Sequence, residues 1–520
     1  MSFFMMRTIL PGGLLGLALL SIAPAPLALA QNITFNEVTP NSGLDVNLFN
    51  IAPGLAVGDI DGDDYLDVMI CGAGNAHPQI FHNRGAALAA GGSGPLFVDV
   101  TAAMFPLGSS EATSGLFADV DNDGDPDIVL ARRYFDPQIG LIGPKHTGIE
   151  IYVNRNGGQG FYKIQNGGLG QDLTPFGGLT LGDGDQDGLI DIVYVHNGGG
   201  NGVGGPGAFL HNQGGYLFQD HTPAFCAPLG NVTRYFSAIM FDFSGDGLLD
   251  LHCAVDFYTD RHFQGQVGGG LGEVTTLVGT TNLGSDMGLA MGDPDMDGDF
   301  DLYSTNINIG VFYENDGNGN FQNTAGARGI GSFNQGLNTC TGWGTAFSDF
   351  DLDGDEDLIT VGSGGKAELF ENNGSGHFTK VSQNAGILLV GRSLVPFDFD
   401  RDGDMDILVS YDGINQTPRL YENVTPSTQG RHYLTVQAIG TLSNRDSIGA
   451  KVEITVRGRK LVRAIVAGHS FKSGLPYTAH FGLNTSGIVQ EVKVTWPSGK
   501  VATMTNVPVD KHVRLVEPLI

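Results

Sequence analysis

The stretch from Phe117 to Val129, FADVDNDGDPDIV, places five aspartates in nine positions between two apolar segments. Carboxylates this close repel one another and oppose compaction, so their concentration calls for a counter-charge. Their alternation at positions 1, 3 and 5 lets one short loop present several side-chain oxygens to a single cation. Hard oxygen donors suit calcium better than zinc or copper, which would call for His or Cys.

The stretch is one of seven. Copies begin at Asp59, Asp119, Asp183, Asp242, Asp293, Asp349 and Asp398, spaced 49 to 64 residues apart. Positions 1, 3, 5 and 9 are the predicted ligands for up to seven Ca2+ ions. They are Asp59, Asp61, Asp63 and Asp67; Asp119, Asp121, Asp123 and Asp127; Asp183, Asp185, Asp187 and Asp191; and Asp242, Ser244, Asp246 and Asp250. The remaining copies supply Asp293, Asp295, Asp297 and Asp301; Asp349, Asp351, Asp353 and Asp357; and Asp398, Asp400, Asp402 and Asp406.

Position 6 is Gly except for Asp64, while position 7 varies freely, as expected where a backbone carbonyl is the ligand. Asp64 stands where a left-handed residue is preferred, which Asp tolerates at some cost. With Ser244 replacing a carboxylate, the Asp242 copy is expected to bind most weakly. For each loop the alternative is a metal-free turn held by its own Asp side chains. An EF-hand is excluded, because position 12 is Ile70, Leu130, Tyr194, Cys253, Ser304, Thr360 or Val409 instead of a bidentate Glu.

Position 10 is always apolar, so a buried strand begins as each loop ends, and the loop joins two strands. A second element recurs after most loops, as in Ile80-Phe81-His82-Asn83, Leu369-Phe370-Glu371-Asn372 and Leu420-Tyr421-Glu422-Asn423. It reads as a third strand entering a Gly-rich turn, and Phe-x-x-Val segments such as Phe97–Val100 follow as a fourth. His82 and His211, which share a repeat position with Glu314, Glu371 and Glu422, read as exposed strand residues. Four strands per unit, seven times over, predict an all-β chain: a seven-bladed β-propeller followed by a small C-terminal antiparallel β domain. The seventh unit lacks its last strand, and Phe35–Thr39 is expected to supply it from the other end of the chain. The unit after Asp242 is the least regular, with no clear third strand and a glycine run at 268–270.

Of 520 residues, 56 are acidic and 27 basic, giving a net charge of -29. That balance argues against a nucleic acid partner, which needs clustered Lys and Arg. Residues 31–430 carry 51 acidic against 14 basic side chains, whereas residues 431–520 carry 5 against 12. The basic C-terminal part is expected either to dock on the acidic ring or to stand as an independent module.

The first thirty residues read as a signal peptide, with an apolar run ending in Ala28-Leu29-Ala30. The expected organisation is a signal peptide over 1–30, a propeller over 31–427 and the C-terminal domain over 428–520. The protein is expected to be secreted, extracellular or periplasmic, with no membrane insertion. In that compartment Cys71, Cys226, Cys253 and Cys340 could form two disulfides, with Cys226–Cys253 the most plausible pair, or remain four buried thiols.

Loops of the form D-x-D-x-D-G-x-x-D in units carrying LYENxGxGxF resemble the FG-GAP/VCBS repeats of integrin α-subunit propellers and secreted bacterial proteins. The segments SNRDSIGAKVEITV (443–456), HFGL (480–483) and VTWPSGK (494–500) resemble the ASPIC/UnbV domain. The combination is similar to the cartilage acidic protein family and its bacterial relatives. The resemblance implies a calcium-binding propeller and carries no catalytic residues across.

Two functions stay open: a binding or adhesion module for an extracellular protein or carbohydrate, and a calcium-dependent extracellular enzyme with a site in the propeller channel. Aromatic and His/Arg/Lys side chains clustered around the channel would favour the enzyme, and a broad exposed aromatic patch would favour binding. The glycine-rich segments 196–207 and 263–273 could shape a pocket or serve as spacers.

Overall fold

The structure is a computed structural model. It describes residues 33–520 apart from 47–52, 74–76, 106–110, 134, 137–140, 143–147, 156, 158–159, 165–176, 196, 198–206, 227–228, 230–233, 333–339, 365–367, 383, 388–389, 412–415 and 427–429. The expected signal peptide and most of the segment 196–207 lie outside the described residues.

Each repeat forms an antiparallel sheet around four strands, and seven such sheets are present among the described residues, the first and the fourth carrying a fifth strand. In the sixth, Thr341–Ser348, Asp357–Ser363, Glu368–Asn372 and Phe378–Lys380 pair in order. Second strands such as Asp357–Ser363 are buried on both faces and therefore read as continuous apolar runs. The cores lie between neighbouring sheets: Leu116, Val129 and Ile151 of the second pack with Leu181, Ile192 and Leu210 of the third. The first strands touch one another in a closed circuit, from Leu55–Gly58 round to Gly391–Phe397 and back, which makes the arrangement propeller-like.

The seventh sheet is completed from the chain start. Phe35–Glu37 pairs antiparallel with Arg419–Asn423, Phe35 opposite Asn423. Phe35 is buried against Phe350, and Leu420 N–H donates to Thr39 Oγ1 at 2.9 Å. Without this strand the edge at Arg419–Asn423 would be open to foreign pairing.

The irregular fourth unit is also a sheet. Its third strand is Arg261–Gly265 and its fourth Leu271–Glu273, and the intervening Gly268, Gly269 and Gly270 all have φ near +95°. The segment 263–273 is thus a tight hairpin whose turn relies on glycine, and Gln264 within it lines a small surface pocket with His262 and Val274.

The C-terminal part forms a three-stranded sheet, with Tyr433–Ile439 between Ala479–Gly482 and Lys511–Val516, and a four-stranded one led by Arg459–Ala464 and Lys451–Val456. Tyr433–Ile439 and Lys511–Val516 run parallel; every other pair here is antiparallel. Trp496 is fully buried between the sheets, its Nε1–H donating to Ser447 Oγ at 2.9 Å.

This part does not stand alone. Between Arg459–Ala464 and Ala479–Gly482 the chain leaves its own sheets and runs down the axis of the ring. Thr180 Oγ1 donates to Ala467 O at 2.7 Å, and Met291 N–H to His469 Nε2 at 3.0 Å. Ser470 exchanges backbone bonds with Leu289, accepts from Ser237 Oγ through its carbonyl and takes Thr345 N–H on its hydroxyl. Ser473–Gly474 then adds a short parallel strand to Leu55–Ala56 and touches the first strands of the second and seventh sheets. One segment therefore meets all seven sheets and fills the channel. Gly468, at φ +79°, is obligatory there, because a Cβ would lie 2.2 Å from Leu179 O.

All four cysteines are buried, and of the two readings left open for Cys226 and Cys253, a disulfide or separate thiols, the second holds. Both sulfurs sit in the apolar layer between the third and fourth sheets, where packing accounts for them.

Candidate metal centres in the seven aspartate loops

Each loop is shaped by its own carboxylates. In the Asp119 copy, Asp119 Oδ1 accepts from Asp123 N–H at 3.0 Å and Oδ2 from Gly124 N–H at 2.7 Å, while Asp123 Oδ1 accepts from Asp125 N–H at 2.9 Å. The Asp183 and Asp349 copies repeat these bonds. The turn needs left-handed backbone at position 6, as expected, with φ between +70° at Asp64 and +103° at Gly354. It needs it also at position 4, held by Gly62, Asn122, Gln186, Gly245, Met296, Leu352 and Arg401. No residue preference at position 4 announces this, and the non-glycine residues there carry a strain of about 1–2 kcal/mol each.

Position 9 has a structural task. Asp67 is fully buried, and its carboxylate accepts from Ile60 N–H at 3.0 Å and Asn83 N–H at 2.7 Å, tying the loop entrance to the third strand. Asp127, Asp191, Asp357 and Asp406 make the same pair of bonds.

The third-strand Asn completes the joint. Asn154 Nδ2 donates to Pro126 O in its own loop and, at 2.9 Å, to Ile60 O in the preceding one. Asn83, Asn212, Asn315, Asn372 and Asn423 likewise reach Phe399, Val120, Phe243, Pro294 and Phe350 of the preceding loops. The fourth sheet has Gly265 in this place, because a Cβ would lie 2.6 Å from that of Leu248.

The carboxylates also converge. Ligand atoms of Asp59, Asp61 and Asp67, of Asp119, Asp121 and Asp127, and of Asp183, Asp185 and Asp187 each lie within 4.8 Å of one another and could hold a metal ion. Burial above all, with neighbouring loop carboxylates adding, pushes Asp127 up to about 9 and Asp191 to about 8. Asp119 is raised to about 8 by burial and then by Asp446, and Asp183 and Asp398 to about 7. These are sites short of positive charge. In the Asp242 copy, Ser244 Oγ lies 3.5 Å from Asp242 Oδ1 and brings no charge of its own.

Residues read from sequence as solvated strand positions turn inward. His82 Nδ1 lies 3.5 Å from Asp61 and 3.1 Å from Asp67, and His211 Nδ1 lies 3.3 Å from Asp185 and 3.2 Å from Asp191. Glu314, Glu371 and Glu422, at the same repeat position, act electrostatically on Asp295, Asp351 and Asp400. Their common place one residue before the structural Asn was the available signal, since the Asn faces the loop and its neighbour flanks the same site.

The basic C-terminal part sits on the loop face. Arg431 pairs with Asp351 at 3.0 Å, Arg463 with Glu356 at 3.2 Å, and Arg514 with Asp64. Arg445 N–H donates to Asn122 Oδ1, Asp446 accepts from Asp119 N–H, and Gly482 N–H donates to Asp349 Oδ2 at 3.0 Å. At the far end of the axis an aromatic cluster gathers. Phe471 meets Phe236 and Trp343, Arg392 lies 4.0 Å over the Trp343 ring, and Arg234 lies 5.5 Å from Phe257, itself 60% exposed.

A family model described as FG-GAP-like repeat matches residues 59–130 and 349–409, and one described as ASPIC and UnbV matches residues 440–519. Among curated proteins nothing matches the chain. Among solved structures, an Agrocybe aegerita lectin described as recognising non-reducing terminal N-acetylglucosamine is similar at 17% identity and TM-score 0.38, over 76% of this chain and 94% of that one. Saccharomyces cerevisiae Sqt1 is similar at 12% identity and TM-score 0.40, over 76% and 100%. The rhamnogalacturonan lyase YesW is similar at 12% identity and TM-score 0.39, over 75% and 76%.

Proposed function

We propose that this chain, which carries FG-GAP-like repeats and an ASPIC and UnbV domain, is a secreted, calcium-stabilised propeller that presents one face to an extracellular protein or glycan. The observation that carries the reading is the convergence of uncompensated carboxylates in the repeated loops, at positions held in shape before any ion arrives. Oxygen donors predominate, and a divalent ion would supply the counter-charge to carboxylates whose pKa values are raised by burial first and by their neighbours second. Asp61, Asp63 and His82, and Asp185, Asp191 and His211, would hold their ions with a nitrogen donor as well. Calcium bound only by the folded state would add about 2.7 kcal/mol per site at a hundred times its dissociation constant.

The binding face would be the one away from the loops, because the C-terminal part covers the loop side. There, cations stacked on aromatic rings at Arg392–Trp343 and Arg234–Phe257 offer a flat, amphipathic contact for sugars and peptides, although such clustering at the channel end is also what an enzyme would show. The segment running through Ser470 stands where a channel enzyme would need its substrate, which favours the binding reading. Among the described residues no helix is long and apolar enough to cross a membrane.

The test is calorimetric calcium titration of the full mature chain, with elemental analysis of material never exposed to chelator. Bound calcium in several-fold molar excess over protein, and a melting temperature that falls on adding EDTA, are expected. Metal-free protein indifferent to EDTA would overturn the reading.

A further inference from the structure

Where the C-terminal part meets the loop face, a cavity of about 160 Å³ remains. Its walls mix apolar side chains such as Met291, Phe347 and Phe397 with polar ones such as Asp349, Asp398 and His469. A space of this size accommodates a molecule as large as benzene.

Three buried side-chain nitrogens line the same cavity without partners among the described residues: His469 Nδ1, Arg463 Nη2 and His512 Nε2. His469 is 2% exposed, and its Nε2 accepts from Met291 N–H at 3.0 Å. Burial pushes its pKa down to about 4, so the ring is neutral and its one proton sits on Nδ1, which finds no partner. Arg463 is 8% exposed; Nε pairs with Glu356 and Nη1 donates to Val462 O, but Nη2 is left over. Both donors are gathered around one strand end, since Glu356 also accepts from Asp293 N–H, two residues beyond Met291. A buried donor left unpaired is destabilising, and His469 and Arg463 each carry one.

We infer that this cavity is a binding site for a compact, uncharged, mainly apolar molecule whose carbonyl-type oxygen accepts from His469 Nδ1–H and Arg463 Nη2–H. The oxygen belongs to a neutral group because the Arg463 charge is already balanced by Glu356, 3.2 Å away. The lining runs from the buried His469 and Arg463 to Asp64 and Arg401, whose side chains are 36% and 33% exposed and 3.6 Å apart.

The test uses the full chain in calcium buffer with acetophenone as the probe, ethylbenzene as its carbonyl-free counterpart and benzoate as its charged one. Acetophenone is expected to bind saturably and raise the melting temperature, with ethylbenzene and benzoate about tenfold weaker or worse. The anomalous signal of soaked 4-bromoacetophenone is expected between Met405 and His469. The Met405→Trp variant, which fills the space and leaves both donors, is expected to lose the probe. Equal binding of ethylbenzene, tighter binding of benzoate, bromine located elsewhere, or no saturable binding of any probe would overturn the inference, the last leaving the cavity to water.

Discussion

Asn83 Nδ2 donates to Phe399 O at 2.9 Å, joining the first sheet to the seventh across 316 residues of sequence. The same side chain donates to Leu66 O and accepts from Gly85 N–H. One amide thus satisfies three backbone groups and latches the ring beside the strand contributed by Phe35–Glu37.

Replacing that amide with an apolar side chain of similar size, Asn83→Leu, leaves buried carbonyls on both sheets without donors. A loss of about 2–4 kcal/mol is expected from such orphaned groups. Urea denaturation of the calcium-loaded protein, read by tryptophan fluorescence, measures it. An unchanged midpoint would show that water replaces the latch.

Stability should depend on pH in opposite senses with and without metal. Asp127, Asp119, Asp191 and Asp183 have folded-state pKa values raised to between about 7 and 9, above the usual unfolded value near 4. In EDTA the stability they contribute is fully present below pH 4 and is lost as pH rises through 7 to 9. With calcium the ions displace those protons, so affinity should rise over the same window. Melting temperatures from pH 5 to 9 in EDTA and in calcium should therefore diverge; parallel curves would contradict the assignment.

The axial segment should be intolerant of a side chain at its tightest point. Gly468→Val combines a positive φ with a clash against Leu179 O, and should expel the segment from the channel. A lowered melting temperature and new proteolytic cleavage between 465 and 478 are expected, against resistance in the parent protein.

The weakest loop should be improvable. Ser244→Asp restores a carboxylate beside Asp242 and is expected to tighten calcium at that loop without changing the affinity of the others. Calorimetric titration of the variant against the parent resolves this; equal isotherms would mean that the loop binds no ion.

Thiol chemistry offers a separate check on the cores. Burial raises Cys226 to about 12, and all four cysteines are buried. Ellman's reagent should find no reactive thiol in the native protein and four in guanidinium. Fewer than four after denaturation under non-reducing conditions would reveal a disulfide.

Sequence alone determined the repeat, the strands and the loops. Asp at alternate positions, Gly at position 6 and an apolar residue at position 10 are local requirements of one tight turn and one buried strand, so they are written wherever that turn occurs. The completion of the seventh sheet by Phe35–Glu37 was equally readable, because the missing strand and the spare one share a pattern. Tertiary structure decided what depends on partners distant in the chain. His82 and His211 face the loops because the adjacent Asn reaches two sheets at once, and Cys226 and Cys253 share an apolar layer without bonding. The segment through His469 and Ser470 enters the channel by matching its backbone and small side chains to seven different strands. No periodicity within the segment encodes that fit, since its hydrogen bonds reach back 233 positions to Ser237 and 287 to Thr180, and only closure of the ring brings them within reach.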